Sequence, residues 1–322
     1  MNIIYLFLVL VFFLILIKAT DLLIVNLKAF SKVSRMGDFV VTTLLLALAT
    51  SLPEFFVGLL SALKGQPNLS LGNIIGANIA NLTIVTGGAA LIGGGLAVRG
   101  IFLRRDVFFT FLAGAAPLLL LLDRDLDRVD GIILLILYSF YSLWVLSERR
   151  RGMNQDQKES VTRHFFRELN YQKTKKEILF IFLGIFLLLF SADMIVRLAT
   201  KIALSFNLPV FLIGLFLVSL GTTLPELVFE IKAIQSHKTS MVFGNLLGSI
   251  VANSTLIIGI VAIISPIKIK AFDEYLLATI VYVIVFMVFY FFIRTKRRLD
   301  RFEAALLIGF YLAFLISEFI HP

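Results

Sequence analysis

The chain has 322 residues, of which 59% are hydrophobic and 16% charged, and its net charge is +9. Soluble domains carry about 25% charged and 45–50% apolar residues, so this composition predicts a polytopic membrane protein. There is no cysteine, which excludes disulfides, thiolate metal sites and thiol redox chemistry. The basic residues lie between apolar runs, so they indicate membrane orientation and argue against a nucleic-acid partner.

Ten apolar runs are long enough, at about 20 residues each, to cross a bilayer. The N-terminus lacks the positive region of a signal peptide, so the first run is interpreted as an uncleaved span. We therefore predict an all-α membrane protein with ten transmembrane helices. The runs are 3–27, 39–63, 69–96, 101–122, 131–147, 177–205, 210–234, 240–264, 274–293 and 303–320.

Basic residues are distributed unequally between the two sides that these spans define. One side carries 22 Lys and Arg residues and the other carries 6. The positive-inside rule then places both termini outside and residues 148–176 in the cytoplasm, in a cell-membrane protein. The 148–176 segment is basic, polar and without a calcium-loop pattern, so we interpret it as a solvated linker, with contact to anionic lipid as the alternative.

Two stretches of the chain, 172 residues apart, share one motif. The first reads Ala-Thr-Ser-Leu-Pro-Glu at 49–54 and Gly-Asn-Ile-Ile-Gly-Ala-Asn-Ile-Ala-Asn at 72–81. The second reads Gly-Thr-Thr-Leu-Pro-Glu at 221–226 and Gly-Asn-Leu-Leu-Gly-Ser-Ile-Val-Ala-Asn at 244–253. The repeat covers five spans, an odd number, so the second copy enters the membrane in the opposite direction. This predicts two inverted five-helix repeats that share a site at the bilayer midplane. Their bounds are 1–147 (motif 49–87) and 177–322 (motif 221–259).

The prolines of the two motifs predict kinks in helices 2 and 7 at the midplane. Pro53 and Pro225 have no N–H, so one carbonyl in each helix loses its partner and needs another in lipid. Each motif then ends on a carboxylate. Hard oxygen ligands therefore collect at this point: Glu54, Glu226, the carbonyls of Thr50 and Thr222, and the hydroxyls of Thr50, Ser51, Thr222 and Thr223.

The third and eighth spans each carry a polar face. Asn73, Ala77 and Asn81 are spaced by four and share one helical face, which Asn245, Ser249 and Asn253 repeat. Asn81 and Asn253 can offer amide oxygens near the two glutamates. The glycines beside them predict close helix packing, which would bring the asparagines to the kinked helices.

The charge of this oxygen-rich site can be balanced in several ways. Ca²⁺ takes six to eight oxygen ligands, including carboxylates and carbonyls. Two ionised glutamates balance one Ca²⁺, but they also suit two or three Na⁺, or two protons. A site that accepts alternative cations is what an antiporter requires.

Three further acidic residues have competing interpretations. Asp21 and Asp193 are repeat mates, and Lys18 and Arg197 are helical neighbours that can pair with them. Glu230 lies one turn after Glu226 and is interpreted either as a vestibule ligand or as the partner of a nearby lysine.

At these residues the chain resembles the cation/calcium antiporter superfamily, and within it the prokaryotic sodium/calcium exchangers. The two stretches are similar to that family's α1 and α2 repeats, and the ten-span layout matches over essentially the whole chain. The resemblance implies exchange of Ca²⁺ for Na⁺ by alternating access. It also implies a ligand set: Glu54 and Glu226 for Ca²⁺ and Na⁺, the carbonyls of Thr50 and Thr222, and a polar shell of Ser51, Thr223, Asn81, Ser249 and Asn253.

Three positions depart from the family pattern. Ala77 stands where the family usually has Ser, which predicts a weakened or absent Na⁺ position. Asn253 stands where many relatives, including potassium-dependent ones, have Asp, which predicts no K⁺ requirement. Ile250 replaces a common Asn, with a consequence for packing only. The Leu-Pro-Glu motifs resemble the sodium-type branch, whereas the proton/calcium branch tends to carry Gly-Asn-Ala-x-Glu.

We therefore expect a secondary transporter that is not an enzyme, needs no cofactor and works as a monomer in membrane lipid, with Ca²⁺ and Na⁺ as transported ions. The alternatives are an H⁺/Ca²⁺ antiporter and a Na⁺-coupled exchanger of another divalent cation. A membrane hydrolase would need a nucleophile with a base or a histidine-rich metal site, and the three histidines fall near span ends or in loops. A channel fits poorly with an inverted repeat.

Overall fold

The computed structural model describes residues 2–32, 50–97, 103–151, 174–236, 239–295 and 298–320, and these are almost wholly helical. In the first half a π-helical turn, Asn81–Val85, joins the third helix to the fourth without a break. The helices of this half are α1 (Asn2–Lys32), α2 (Leu52–Leu63), α3 (Pro67–Ala80), α4 (Thr86–Gly93), α5 (Leu103–Leu120) and α6 (Arg128–Arg151).

From α9 onward, the second half repeats the order of helices that the structure describes from α2 onward in the first half. Two π-helical turns, Ile213–Val218 and Ala252–Ile257, join α8 to α9 and α10 to α11. The turn at Ala252–Ile257 lies about 172 residues after the turn in the first half. The helices are α7 (Thr174–Phe206), α8 (Val210–Leu212), α9 (Ser219–Gln235), α10 (Thr239–Val251), α11 (Ile258–Ile264), α12 (Phe272–Thr295) and α13 (Arg301–Ile320).

Seven helical stretches in the described residues are long and apolar enough to cross a membrane, so the chain is a multi-pass membrane protein. They correspond to seven of the ten predicted spans. Two further apolar helices, Leu52–Leu63 and Val107–Asp123, are shorter, and the predicted span 303–320 is helical within α13. The seven stretches are Ile4–Leu22, Pro67–Gly93, Arg128–Val145, Phe182–Phe206, Val210–Gln235, Met241–Ile264 and Phe272–Arg294.

The two motif prolines have different local settings. Pro53 lies in the first turn of α2, a position that tolerates proline because its N–H would have no helical partner. Ala49, whose carbonyl the sequence predicts to be freed, falls in 33–49, outside the described residues, as do residues 152–173 of the predicted linker. Pro225 lies inside α9, so the carbonyl of Gly221 receives no helical N–H from it.

Four short strands tie the ends of helices together in pairs. Strand β1 (Leu96–Ala97) pairs antiparallel with β4 (Arg298–Leu299), and β2 (Asp125–Leu126) pairs antiparallel with β3 (Ile267–Lys268). Each pair therefore joins the first half of the chain to the second. Because β1 and β3 are separated by about 172 residues, as are β2 and β4, the two pairs are equivalent under the repeat.

Buried apolar side chains form two clusters. The smaller one joins α1 to α7, through residues such as Phe13 and Leu16 on α1 and Leu188 and Ile195 on α7. The larger one holds the remaining helices around α3, α10 and α12. Many outward-facing Leu, Ile and Phe side chains are exposed, as expected for surfaces that meet lipid.

Glycine allows α3 to cross the α8–α9 segment at close range. A Cβ added at Gly72 or at Gly76 would lie far inside van der Waals contact of the carbonyls of Phe211 and Leu215, respectively. The close packing that the sequence predicts for these two glycines is confirmed. It sets the side chains of α3 directly against α9.

Candidate cation site

The carboxylates of Glu54 and Glu226 lie inside the protein and near each other. Both residues are fully buried, and their charges are close enough to repel. Neither carboxylate accepts a hydrogen bond from any residue that the structure describes. A buried ionised carboxylate without a partner costs several kcal/mol, so this arrangement requires positive charge from a bound ion or from protons.

Two hydrogen bonds cross between the halves around this pair. The Thr50 hydroxyl donates to Oδ1 of Asn245 at 2.8 Å, and the Thr222 hydroxyl lies 3.2 Å from Oδ1 of Asn73. Thr50 and Thr222 are repeat mates, and so are the two asparagines. Each Leu-Pro-Glu motif is thus held against the asparagine of the opposite copy. Both asparagine oxygens accept hydrogen bonds from threonine hydroxyls, and these bonds link the two halves of the chain.

Three of the predicted ligands lie directly beside the carboxylates. Thr222 is next to Glu54, and Ser249 and Asn81 are next to Glu226. The Ser249 hydroxyl and both polar atoms of the Asn81 amide have no hydrogen-bond partner among the described residues. Unpartnered oxygens that border two uncompensated charges are suited to coordinating a cation.

The remaining predicted ligands are also buried, but their side chains differ in their hydrogen-bond partners. The Ser51 hydroxyl has no described partner. The hydroxyl of its repeat mate, Thr223, donates back to the carbonyl of Ser219 at 2.9 Å, so its lone pairs alone remain for a cation. Oδ1 of Asn253 is unpartnered, while its amide nitrogen donates to Oδ1 of Asn78 at 3.2 Å.

Sequence reasoning missed the polar support behind Asn253. Asn78 donates to the hydroxyl of Ser254 at 2.7 Å, which completes a short chain of hydrogen bonds. The repeat mates of these two residues are Ile250 and Leu82, so the duplication carried no signal for them. The available clue was their position in the sequence, since Asn78 lies three residues before Asn81 and Ser254 directly follows Asn253.

The structure shows the surroundings of the three other acidic residues, Asp21, Asp193 and Glu230. Asp193 forms ion pairs with Arg197 (2.8 Å), as the i,i+4 spacing allowed, and with Lys64, which was not anticipated. Asp21 is exposed and has no ion pair with Lys18 in the described structure. Glu230 is 1% exposed and lies 3.2 Å from the Thr86 hydroxyl. The lysine partner considered for Glu230 is not found among the described residues.

The candidate centre offers carboxylate, hydroxyl and amide oxygens. No group of three His, Cys, Asp or Glu residues in the described ranges is arranged to hold a metal ion. Two carboxylates with neutral hydroxyl and amide oxygens are a donor set that hard cations prefer.

Known proteins resemble the chain along most of its length. The family profile for "sodium/calcium exchanger protein" matches residues 4–147 and 176–319, which are the two halves of the sequence. The inner membrane protein YrbG of Escherichia coli K12 is 29% identical over 255 residues, covering 79% of this chain and 78% of YrbG. The sodium/calcium exchanger MaX1 of Methanosarcina acetivorans is 24% identical over 335 residues, covering 94% and 95%.

Solved structures agree with this assignment at the level of the fold. The sodium-calcium exchanger NCX_Mj, soaked with 100 mM Na⁺ and 10 mM Sr²⁺, superposes with a TM-score of 0.66 at 23% identity. The match covers 98% of this chain and 99% of that one. Since the family profile spans both halves of the sequence, the chain belongs to the sodium/calcium exchanger family, as the resemblance of its motifs indicated.

Proposed function

We propose that the protein is a secondary active antiporter that exchanges Ca²⁺ for Na⁺ by alternating access, without a requirement for K⁺. The observation that carries this proposal is the pair of fully buried carboxylates, Glu54 and Glu226, which have no hydrogen bond from the described residues. One Ca²⁺ would neutralise both charges, and Na⁺ ions would do the same on the return step.

The proposed ligands are the nine residues with hard oxygen atoms that the two motifs supply. The carboxylates bind the ion, and the side chains beside them complete the coordination shell in place of water. Asn253 is neutral, which leaves two formal charges at the centre and supports independence from K⁺. The nine residues are Glu54, Glu226, Thr50, Thr222, Ser51, Thr223, Asn81, Asn253 and Ser249.

We further propose that the chain forms ten transmembrane helices as two inverted five-helix repeats, 1–147 and 177–322, with the site between them and kinks at Pro53 and Pro225. The crossed pairs Thr50–Asn245 and Thr222–Asn73 support this, because an axis in the membrane plane would exchange one pair with the other. The two strand pairs support it in the same way.

Transport assays test the ion coupling. Purified protein in liposomes should take up ⁴⁵Ca²⁺ when an outward Na⁺ gradient is imposed, with and without K⁺. An outward H⁺ gradient alone should produce no uptake. Uptake driven by H⁺ alone would identify an H⁺/Ca²⁺ antiporter. A need for K⁺ would refute the K⁺ independence that Asn253 predicts.

One residue favours testing a second cargo. Ala77 is buried on α3 and has no hydroxyl where its repeat mate, Ser249, has one beside Glu226. The two flanks of the centre are therefore unequal. Competition of ⁴⁵Ca²⁺ uptake by Mn²⁺, Sr²⁺ and Cd²⁺ would show whether this flank accepts another divalent cation in preference to Ca²⁺.

A further inference from the structure

Glu230 is a buried carboxylate outside the set of proposed ligands. It lies on α9, one helical turn after Glu226, and is 1% exposed. The Thr86 hydroxyl donates a hydrogen bond to its Oε2 at 3.2 Å, and the Asn245 side chain is hydrogen-bonded to it as well. Neither oxygen of Glu230 lacks a hydrogen-bond partner. The carboxylate is therefore held by side chains of two other helices, α4 and α10.

The carboxylate decides which way the Asn245 amide faces. An ionised carboxylate only accepts hydrogen bonds, whereas an amide has a donating nitrogen and an accepting oxygen. Asn245 therefore bonds to Glu230 through its nitrogen. Its Oδ1 is then left for the Thr50 hydroxyl, which donates to it at 2.8 Å.

The direction of the Thr50 hydroxyl matters for a cation. A hydroxyl binds a cation only through its oxygen, so its proton must be directed at another acceptor. The hydrogen bond to Asn245 holds the proton in this way. If the amide were turned over, its nitrogen would face Thr50 and the hydroxyl would lose this acceptor. A row of two hydrogen bonds thus connects Glu230 to a predicted ligand.

The equivalent asparagine in the first half has no such carboxylate beside it. Asn73 is the repeat mate of Asn245, and its amide nitrogen is buried without a hydrogen-bond partner among the described residues. The repeat mate of Glu230 is Gly58, where an added Cβ would lie 2.9 Å from the Ser70 hydroxyl. The contact that orients the asparagine therefore belongs to the second half alone.

The two threonines differ in the same way. The Thr222 hydroxyl lies 3.2 Å from Oδ1 of Asn73 and 3.2 Å from the carbonyl of Ser219, so two acceptors share its proton. The hydrogen bond between Thr50 and Asn245 is shorter, at 2.8 Å. The shorter bond is the one whose asparagine is also bonded to a carboxylate.

We propose that Glu230 is a positioning residue, which orients the Asn245 amide and thereby holds the proton of the Thr50 hydroxyl away from the transported cation. This inference rests on the proposed function, which makes Thr50 a ligand. Glu230 itself does not bind the cation. Groups that orient the ligands of a metal in this way typically change its affinity by about 10- to 100-fold.

Equilibrium binding of ⁴⁵Ca²⁺ to the purified protein tests the proposal. Glu230→Leu removes the acceptor and should raise the Kd for Ca²⁺ about tenfold. Glu230→Gln removes the charge but keeps an oxygen that can accept from Asn245, so it should bind Ca²⁺ several-fold more tightly than Glu230→Leu. Glu318→Leu, which removes another buried carboxylate on α13, is the matched control and should keep the wild-type Kd.

A double-mutant cycle tests whether Glu230 acts through Asn245. Asn245→Ala removes the acceptor of the Thr50 hydroxyl and should weaken Ca²⁺ binding by itself. Adding Glu230→Leu to Asn245→Ala should raise the Kd no further, because the amide that Glu230 orients is gone. If Glu230→Leu does not purify as a folded protein, Glu230→Met takes its place, since it keeps the length of the side chain without the carboxylate.

The outcomes separate this proposal from the proposed function. If Glu230→Gln weakens binding as much as Glu230→Leu, the charge itself attracts the ion and the proposal is wrong. Additive effects in the cycle, or a wild-type Kd in Glu230→Leu, would also overturn it. If the wild type binds Ca²⁺ but does not exchange it for Na⁺ in liposomes, the proposed function fails, and the Kd values of the variants still decide this proposal. If the wild type binds no Ca²⁺, both fail.

Discussion

Glu54 and Glu226 are fully buried, and neither carboxylate accepts a hydrogen bond from the described residues. Side chains selected for stability alone would be paired in this position, because an unpaired buried charge opposes folding. The uncompensated pair is consistent with a centre that is completed by the transported ion. Substitution by glutamine removes the charge and keeps the shape, which makes it the informative change at both positions.

Glu54→Gln and Glu226→Gln should each abolish Na⁺-driven ⁴⁵Ca²⁺ uptake, because one carboxylate cannot balance a divalent ion. Neither should lower the unfolding temperature of the ion-free protein, since a destabilising buried charge is removed. Glu318→Gln, which alters a buried carboxylate on α13, should transport normally. Retained transport in either glutamine variant, measured in proteoliposomes beside this control, would refute the site.

Ala77→Ser should strengthen Na⁺ binding, because it restores a hydroxyl opposite the unpartnered one of Ser249. We expect the Hill coefficient for Na⁺ to rise and the half-saturating Na⁺ concentration to fall. Ala89→Ser, another buried position in the apolar cluster, is the control and should leave both quantities unchanged. A wild-type Hill coefficient near three that stays the same in Ala77→Ser would show that no Na⁺ position is missing.

At the level of elements, the proposed site requires α3 to approach the α8–α9 segment closely. Gly72 and Gly76 on one side and Gly214 on the other leave no room for a side chain at the crossing. The π-helical turns begin at Asn81 and next to Asn253, so both amides lie where the helical hydrogen-bond pattern changes. Close packing therefore brings residues of α2, α3, α9 and α10 together around Glu54 and Glu226.

Gly76→Ala should separate α3 from α9. The added methyl meets the Leu215 carbonyl and the Ser219 hydroxyl, and overpacking of this kind costs about 1–3 kcal/mol. We expect a lower apparent unfolding temperature in detergent and weaker Ca²⁺ uptake. Gly309→Ala, where nothing lies within 4 Å of the added Cβ, should be neutral or slightly stabilising. Equal stability of the two variants would mean that the close approach is not needed.

Across the whole molecule, the two strand pairs agree with the distribution of charge. Strands β1 and β4 adjoin loops that the basic residues assign to the cytoplasm, and β2 and β3 adjoin loops assigned to the outside. Each pair therefore joins segments that the charge rule puts on the same side. Arg298 at the β1–β4 pair donates to the Gly94 carbonyl at 2.9 Å, which adds a further link on that side.

Cysteine labelling tests the orientation of the chain in the membrane. Since the chain has no native cysteine, each single substitution introduces the only thiol that can react. In intact cells a membrane-impermeant maleimide should label Lys270→Cys, which is exposed between β3 and α12. Ser160→Cys, in the predicted linker, should react only after the cells are opened. The reverse labelling pattern would show that the topology is the opposite of the predicted one. Labelling of both sites in sealed cells would contradict the prediction of ten spans.

The sequence by itself determined the class of protein, most of its spans and the family. A proline and a carboxylate inside an apolar segment are costly in lipid, so their duplication is visible without any structure. The spacing of Gly72 and Gly76 also predicted the close packing of α3. The repeat gave no indication of residues without a repeat mate of the same type, such as Asn78 and Ser254.

The tertiary structure alone decided which side chains meet. Thr50 contacts Asn245, Lys64 contacts Asp193, and Glu230 contacts Thr86, and each of these pairs is far apart in sequence. The sequence analysis also did not predict the π-helical turns, since the hydrophobic pattern of a helix does not reveal a single turn with a different hydrogen-bond spacing. Local patterns report the face of one helix, whereas the opposing partner depends on how all the helices pack together.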